Sequence, residues 1–242
     1  MLFSTMTAVL ILFAASADAL PRPQQSPTKY TPVRDLSKLA KYFPKSALPA
    51  PDGQQLKYVV LGIGTQNYTC GSDENAAPGT TGALATLYDI GSKLNDDWMA
   101  PWKIPTMSPL ALSLSSMPDM LDWSLRSQGY NNIAGHHYFS QIAQVNTPIF
   151  AFDQLSASPY PLAQVAKLNG TDAPASACPG SNGLPAIQWL YLKDITGASA
   201  GGIDTVYRVE TAGGNRPATC KGMQGSWQVK YAAQYWIFGP KQ

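Results

Sequence analysis

Charged side chains are scarce in this chain of 242 residues. Asp, Glu, Lys and Arg make up 13% of the sequence, whereas roughly 25% is usual in a soluble domain. The formal net charge is +2 and no basic stripe is present, so the clustered Lys and Arg that phosphate groups require are missing. The composition argues against a nucleic-acid partner, and it suits an extracellular protein that meets neutral ligands.

Apolar runs long enough to cross a bilayer are also lacking. A spanning helix needs about 20 apolar residues, and the run at residues 7–15 is shorter and has no Lys or Arg before it. Ala17 and Ala19 place small side chains at the −3 and −1 positions of a signal-peptidase site. We therefore predict that residues 1–19 are a signal peptide and that the protein is secreted and extracellular, without a membrane anchor.

Signatures of catalysis are equally sparse. The sequence has two histidines, the adjacent His136 and His137, and no Gly-x-Ser-x-Gly nucleophile elbow. Neighbours on a strand point to opposite faces, so the pair is poorly suited to one metal ion, and we expect neither a metal nor a cofactor. The simplest interpretation of His137 is a hydrogen-bonded structural residue. The remaining acid–base candidates are His137 and Asp153, alongside Gln66 and Tyr138.

A glycine pair invites comparison with a dinucleotide-binding site. Residues 59–64 (VVLGIG) form an apolar run into Gly-x-Gly, as in the fingerprint that opens a Rossmann fold. The third glycine would fall at Asn67, and residues 65–70 are strand-like rather than helical. We interpret the glycines as relieving crowding or forming a bulge within a strand, which argues against a nicotinamide cofactor.

Three cysteines, Cys70, Cys178 and Cys220, permit at most one intramolecular disulfide. Residues 187–192 and 206–211 are predicted to be neighbouring antiparallel strands. Cys178 precedes the first and Cys220 follows the second, so we favour Cys178–Cys220, with Cys70–Cys220 as the alternative. The thiol left over would be available for a crosslink to another molecule.

Two Asn-x-Thr sequences make the protein a candidate glycoprotein. Asn169 lies in a polar stretch that contains glycine, and it is the better acceptor. Asn67 lies within a strand-like run, where a glycan would require an exposed face.

The body of the chain is strand-like. A Pro-containing arm at residues 20–55 precedes seven segments rich in β-branched and aromatic residues, separated by Gly, Pro, Asn and Ser. These segments are residues 56–70, 83–89, 133–140, 148–152, 186–194, 203–211 and 226–238. In the last segment Trp227, Val229, Tyr231, Ala233 and Tyr235 share one face. We predict one mainly β domain over residues 56–242, folded as an antiparallel β-sandwich or barrel.

Residues 93–132 interrupt the strand pattern. Residues 108–116 and 118–127 have helical character, and each begins beside a proline. Three tryptophans, Trp98, Trp102 and Trp123, cluster in this part of the sequence. We predict a helical insertion at about residues 93–132, and a cap over one sheet is a simpler interpretation than a functional lid.

Six motifs, in this order, resemble a family of secreted fungal and bacterial proteins that is classed only as a domain of unknown function. The motifs are residues 64–70 (GTQNYTC), 85–89 (ATLYD), 135–138 (GHHY), 186–192 (AIQWLYL), 206–220 (from VYRVETAGG to the cysteine) and 229–236 (VKYAAQYW). The resemblance covers about residues 56–238. It implies a secreted, β-rich protein and no established activity. Fungal members often carry a "malate dehydrogenase" label, which these residues do not support.

The family pattern bears on particular residues. It includes Gln66, Tyr68, His137, Tyr138, Trp189 and the Gly213-Gly214 turn. It also has cysteines at the positions of Cys70 and Cys220, which favours the alternative disulfide. The long insertion and Cys178 depart from the pattern, so a family site need not transfer to this chain.

Two functions of different class follow from these observations. The first is a non-catalytic binding or surface protein, associated with a fungal cell wall and its polysaccharide, which low charge and many aromatics favour. The second is an extracellular hydrolase that uses His137 and a carboxylate. An enzyme predicts that Gln66, His137 and Asp153 converge in one pocket. A binder predicts exposed aromatics on a flat or grooved face.

Overall fold

A computed structural model of the protein describes residues 29–223 and 225–241, so the predicted signal peptide at residues 1–19 lies outside the described residues. Within that part of the chain the strands are β1 (Gln54–Thr69), β2 (Gly79–Asp89), β3 (Ile133–Ile142), β4 (Val145–Ala151), β5 (Leu162–Gln164), β6 (Ala166–Thr171), β7 (Trp189–Lys193), β8 (Thr205–Gly213) and β9 (Ser226–Pro240). The helices are α1 (Ser37–Ala40), α2 (Gly91–Leu94), α3 (Ala100–Leu114) and α4 (Pro118–Gln128).

The strands form one antiparallel sheet in the order β5-β4-β3-β2-β1-β9-β8-β7-β6. Its two end strands, β5 and β6, are consecutive in the chain and separated by Val165 alone. The sheet therefore curls into a nearly closed barrel. The prediction of a mainly β, antiparallel fold with a helical insertion is confirmed, and the barrel is the form that it takes.

Alternation along β9 gives the barrel an inner and an outer face. Tyr231, Ala233 and Tyr235 are buried in the inner apolar cluster, whereas Ala232 and Trp236 belong to a second cluster on the outer face. This is the period of two expected for a strand, and it agrees with the face predicted from the sequence.

The glycines of β1 serve packing. A Cβ on Gly62 would lie 2.5 Å from Cε2 of Tyr235, and one on Gly64 would meet the Leu84 carbonyl oxygen of β2. Only glycine leaves room for these neighbours. The strand then continues to Thr69 without turning into a helix, so the chain does not form the strand–turn–helix of a dinucleotide-binding fold.

The helical insertion covers the outer face of the barrel. Helix α3 buries Ile104, Met107 and Ala111, spaced as on one helix face, against β1, β8 and β9. Gln234 of β9 donates from Nε2 to the Ile104 carbonyl at 2.6 Å, and its Oε1 accepts from Trp236 Nε1 at 3.2 Å. The insertion is thus a cap attached to the sheet from outside.

The start of helix α3 differs from the prediction. The sequence indicated a beginning near Ser108, because Pro109 suits a first turn, but the helix begins at Ala100 and contains Pro105 and Pro109 in its interior. A proline in a helix removes one hydrogen bond. Burial of the apolar face on the barrel offsets that loss.

No helix in the described part of the chain is long and apolar enough to cross a membrane.

The disulfide joins Cys70 to Cys220, with the Cα atoms 5.7 Å apart. The favoured pairing of Cys178 with Cys220 is therefore wrong, and the alternative is correct. The reason is long-range strand pairing, since β9 returns alongside β1 and brings the loop before it to the end of β1, where Cys70 lies. Cys178 keeps a half-buried thiol in a loop, and its crosslink to a partner stays a prediction.

Candidate functional site

A pocket of about 910 Å³ opens into the inner side of the barrel. The β3–β4 hairpin, strands β1, β6, β7 and β8, and the loop at residues 215–218 surround it. Much of its wall is apolar and consists of Phe139, Ile142, Val165, Ile187, Leu190 and Leu192. Sites for small organic molecules commonly measure about 300–1,000 Å³ and combine apolar walls with a few polar groups, so this pocket has the dimensions of a ligand site.

Gln66 supplies one of those polar groups. The residue is 5% exposed and lines the pocket from β1, because alternation along the strand points it inward with Tyr68. Its Nε2 is buried and has no hydrogen-bond partner among the described residues. The amide lies near the Tyr231 hydroxyl without the geometry of a hydrogen bond. A buried donor left unpaired is destabilising, and a ligand oxygen would satisfy it.

Two arginines flank Tyr68 in the pocket wall. Arg208 donates from Nε and Nη2 to the Gln188 carbonyl at 3.1 and 3.0 Å. Arg216 donates from Nη1 to Thr80 Oγ1 at 2.8 Å, and its guanidinium carbon lies 5.5 Å from the centre of the Tyr68 ring. Neither guanidinium forms an ion pair within residues 29–223 and 225–241.

The pocket carries an excess of positive charge. Of the described residues that line it, Lys167, Arg208 and Arg216 are basic and Asp172 alone is acidic. Asp172 is engaged by the Gln188 side chain, whose Nε2 donates to Oδ1 at 3.0 Å. Burial raises the pKa of Tyr68, and the two arginines oppose that rise. Both guanidiniums therefore act on the same end of the pocket.

His137 does not reach the pocket. It is 3% exposed, its ring stacks on Phe150 with centroids 4.1 Å apart, and its Nδ1 donates to the Ile149 carbonyl at 2.8 Å. Burial lowers the pKa of His137 to about 4, and the charge of Arg208 acts in the same direction. The imidazole is consequently neutral at physiological pH and packs as part of the core.

The other acid–base candidates lie elsewhere. Asp153 contacts His136, with Nδ1 and Oδ1 3.0 Å apart, and Tyr138 is exposed on the outer face with His136. Of the four residues singled out from the sequence, only Gln66 lines the pocket. No group of three or more His, Cys, Asp or Glu residues in the described part of the chain is placed to hold a metal ion.

The sequence did not single out Arg208 or Arg216. The signal for Arg208 was present, because it lies two residues after Val206 and so occupies an inward position on β8. An arginine at a strand position that faces the apolar interior indicates either a buried ion pair or a ligand contact. Arg216 offered no such pattern, since it lies in a loop.

Aromatic side chains divide between core and surface. Trp189 and Trp236 are buried in the outer cluster. On the cap, Trp98, Trp102 and Trp123 are 79%, 61% and 68% exposed. The rings of Trp98 and Trp102 contact edge to face, with centroids 6.2 Å apart.

The two glycan acceptors also differ in exposure. Asn169 is exposed on the end strand β6. Asn67 is half-buried on β1, and its Oδ1 accepts a hydrogen bond from Thr65 at 3.3 Å.

Comparison with known proteins identifies the family. A family profile described as "Protein of unknown function (DUF3455)" matches residues 51–239. The chain belongs to this family, which confirms the resemblance to a domain of unknown function. No curated protein and no solved structure gives a significant match.

Proposed function

We propose that this member of the DUF3455 family is a non-catalytic binding protein that holds a small, largely apolar organic ligand inside its barrel. The pocket of about 910 Å³ is the observation that carries the proposal. Its apolar wall supplies hydrophobic contact area. Nε2 of Gln66, which has no partner among the described residues, and the two arginines supply fixed polar contacts.

The geometry gives less support to the hydrolase alternative. Acid–base chemistry needs a titratable group within hydrogen-bond reach of the substrate. His137 lies outside the pocket lining, and Asp153 contacts His136 instead. The carboxylate of Asp172, which lines the pocket, accepts a hydrogen bond from Gln188. Dehydrogenase activity is likewise not expected, because β1 continues through the glycine pair as a strand.

Secretion to an extracellular compartment remains part of the proposal. The signal-like residues 1–19 and the Cys70–Cys220 disulfide support it, since disulfides persist in oxidising compartments. The test is N-terminal sequencing of the protein recovered from culture medium. A mature chain beginning at Leu20 is expected, whereas retention of Met1 in an intracellular product would contradict the proposal.

The binding function is tested with N-phenylnaphthylamine, an uncharged probe whose fluorescence rises in apolar surroundings. Saturable binding of one probe per chain is expected. Leu190→Trp enlarges an inward-facing side chain of the pocket wall and should abolish binding, whereas Leu168→Trp, on the adjacent strand β6 but outside the pocket lining, should not. Equal binding by both variants would refute the pocket as the site.

A second candidate function is polysaccharide association through the cap, which the exposed Trp98, Trp102 and Trp123 favour. Aromatic faces are suited to the apolar faces of sugar rings. The test incubates the protein with insoluble chitin, β-glucan, mannan and cellulose and measures both protein depletion and sugar release. Depletion that is lost in the Trp98→Ala/Trp102→Ala variant supports the candidate. Sugar release by the wild-type protein would instead establish an enzyme.

A further inference from the structure

The polar end of the pocket presents hydrogen-bond donors rather than acceptors. The Tyr68 hydroxyl donates its proton to the Gly214 carbonyl at 2.6 Å, away from any ligand. Around it lie the guanidiniums of Arg208 and Arg216, both close enough to influence the pKa of Tyr68. The hydroxyl oxygens of a neutral sugar or alcohol carry no charge, whereas the two charged oxygens of an anionic oxyacid form stronger, paired hydrogen bonds with a guanidinium.

The protein's own contacts leave part of this donor set unused. Arg208 donates from Nε and Nη2 to the Gln188 carbonyl, and Arg216 donates from Nη1 to Thr80 Oγ1. Among the hydrogen bonds of the described residues none uses Nη1 of Arg208 or Nε and Nη2 of Arg216, and the hydroxyls of Tyr235 and Tyr68 lie near the two guanidiniums. Guanidinium groups bind carboxylates with paired, charge-assisted hydrogen bonds, and neither arginine forms an ion pair with a carboxylate of the described residues.

Gln66 points to a ligand independently of these charges. Its side chain is buried, it lines the pocket, and its Nε2 has no partner in the described part of the chain. Buried amide donors in folded proteins are almost always paired. An acceptor atom of a bound molecule would complete this one.

Resting on the proposed binding function, we propose that the ligand is an amphipathic organic carboxylate. Its carboxylate lies among Arg208, Arg216 and Gln66, and its apolar body lies against Ile187, Leu190 and the β3–β4 hairpin. The positive excess of the pocket favours this orientation over the reverse, because the apolar wall would leave a carboxylate unpaired.

The test compares ligands that share one chain and differ in head group. Dodecanoate, dodecanol and dodecylamine each compete with bound N-phenylnaphthylamine near neutral pH, and dodecanoate is also titrated directly by calorimetry. Dodecanoate should compete at a concentration about tenfold or more below that of dodecanol, the effect of one or two charge-assisted hydrogen bonds, and dodecylamine should be weakest. Added salt should reduce the preference.

Variants separate a binding role from a structural one. Arg208→Gln and Arg216→Gln should each weaken dodecanoate about tenfold and leave dodecanol unchanged, and Arg216→Lys should keep part of the preference. Arg34→Gln, outside this pocket, is the matched control. Thermal melting identifies any variant that fails to fold. If a glutamine variant does not fold, Arg216→Lys and the head-group comparison on the wild-type protein test the carboxylate assignment instead.

The outcomes distinguish the two proposals. If the uncharged probe binds and dodecanoate competes no better than dodecanol, the carboxylate inference is overturned and the binding function stands. If neither the probe nor dodecanoate binds the wild-type protein, both are overturned. A preference for dodecanoate that survives in Arg208→Gln, Arg216→Gln and their double variant also overturns the assignment of the site.

Discussion

His137 makes the stability of the barrel dependent on pH. Its imidazole is buried between the rings of Phe150, Phe139 and Tyr235 and donates to the Ile149 carbonyl. Burial lowers its pKa from 6.5 to about 4, since the core disfavours the charged form. The folded protein therefore keeps His137 neutral at pH values where the unfolded chain takes up a proton.

The sign and size of the effect follow from linkage. The stabilisation is fully present above the unfolded pKa of 6.5 and is lost as the pH falls to about 4. In this window the free energy of unfolding should decrease by about 1.4 kcal/mol per pH unit, to a total of about 3 kcal/mol. Burial raises the pKa values of Asp89, which is buried, and of Glu210, which is half-buried. Both carboxyls contribute with the opposite sign, so the effect must be read as a difference between variants.

The assay is urea unfolding of the wild type and of His137→Asn across this pH window. Asparagine offers a donor to Ile149 but does not titrate, so the variant should be less stable near neutral pH and have a flatter pH profile. Phe152→Leu, which alters the same inner cluster but removes no titratable group, is the control and should keep the wild-type slope. Parallel profiles for the wild type and His137→Asn would refute the reasoning, because the buried imidazole would then contribute nothing to the slope.

Three further predictions concern packing, the disulfide and modification. Gly62→Ala should destabilise the fold by about 1–3 kcal/mol, because its Cβ would meet the Tyr235 ring, while Gly71→Ala, in open space, should be neutral in the same melting assay. Replacing Cys70 and Cys220 by serine should cost about 2–5 kcal/mol, and non-reducing peptide mapping of the wild type should recover these two cysteines linked; a linked Cys178 would contradict the structure. Asn169→Gln should remove a glycan that is detectable by mass, and an unchanged mass would show that this acceptor is not used.

Local patterns predicted the elements whose faces are decided by nearby residues. The alternation from Trp227 to Tyr235 identified the inward face of β9 correctly, because strand periodicity is a local property. The start of α3 was not predicted, since its interior prolines are tolerated only through contacts with strands far away in sequence. The disulfide depended on the pairing of β1 with β9 across most of the chain, and spacing alone did not indicate that pairing.

The candidate site, like the fold, could be predicted only in part from the sequence. Gln66 could be singled out from the sequence, and strand alternation could also have indicated the inward position of Arg208. The pocket itself depends on how the sheet closes at Val165, between β5 and β6. Its two arginines reach Tyr68 from β8 and from a loop, and no spacing in the sequence specifies that meeting.

Two buried glutamines, one on each face of the barrel, test whether the outer face serves the fold while the inner face binds a ligand. Gln234 is fully buried, and both ends of its amide are used, toward Ile104 of the cap and toward Trp236. Gln66 is nearly as buried, but its Nε2 has no partner in the described part of the chain. The two side chains are chemically the same but differ in their hydrogen bonds, so replacement by leucine should have different effects at the two positions.

Gln234→Leu should lower the free energy of unfolding by about 2–4 kcal/mol, because it leaves the Ile104 carbonyl and the Trp236 indole without their partners. Binding of the uncharged probe should be unchanged, since the cap lies on the opposite face. Gln66→Leu should leave stability unchanged or slightly raised, because it removes an unpaired buried donor, yet it should weaken dodecanoate. Chemical denaturation and probe titration of the two variants measure both effects. A stability loss in Gln66→Leu as large as that in Gln234→Leu would mean that the Gln66 amide serves the fold and not a ligand.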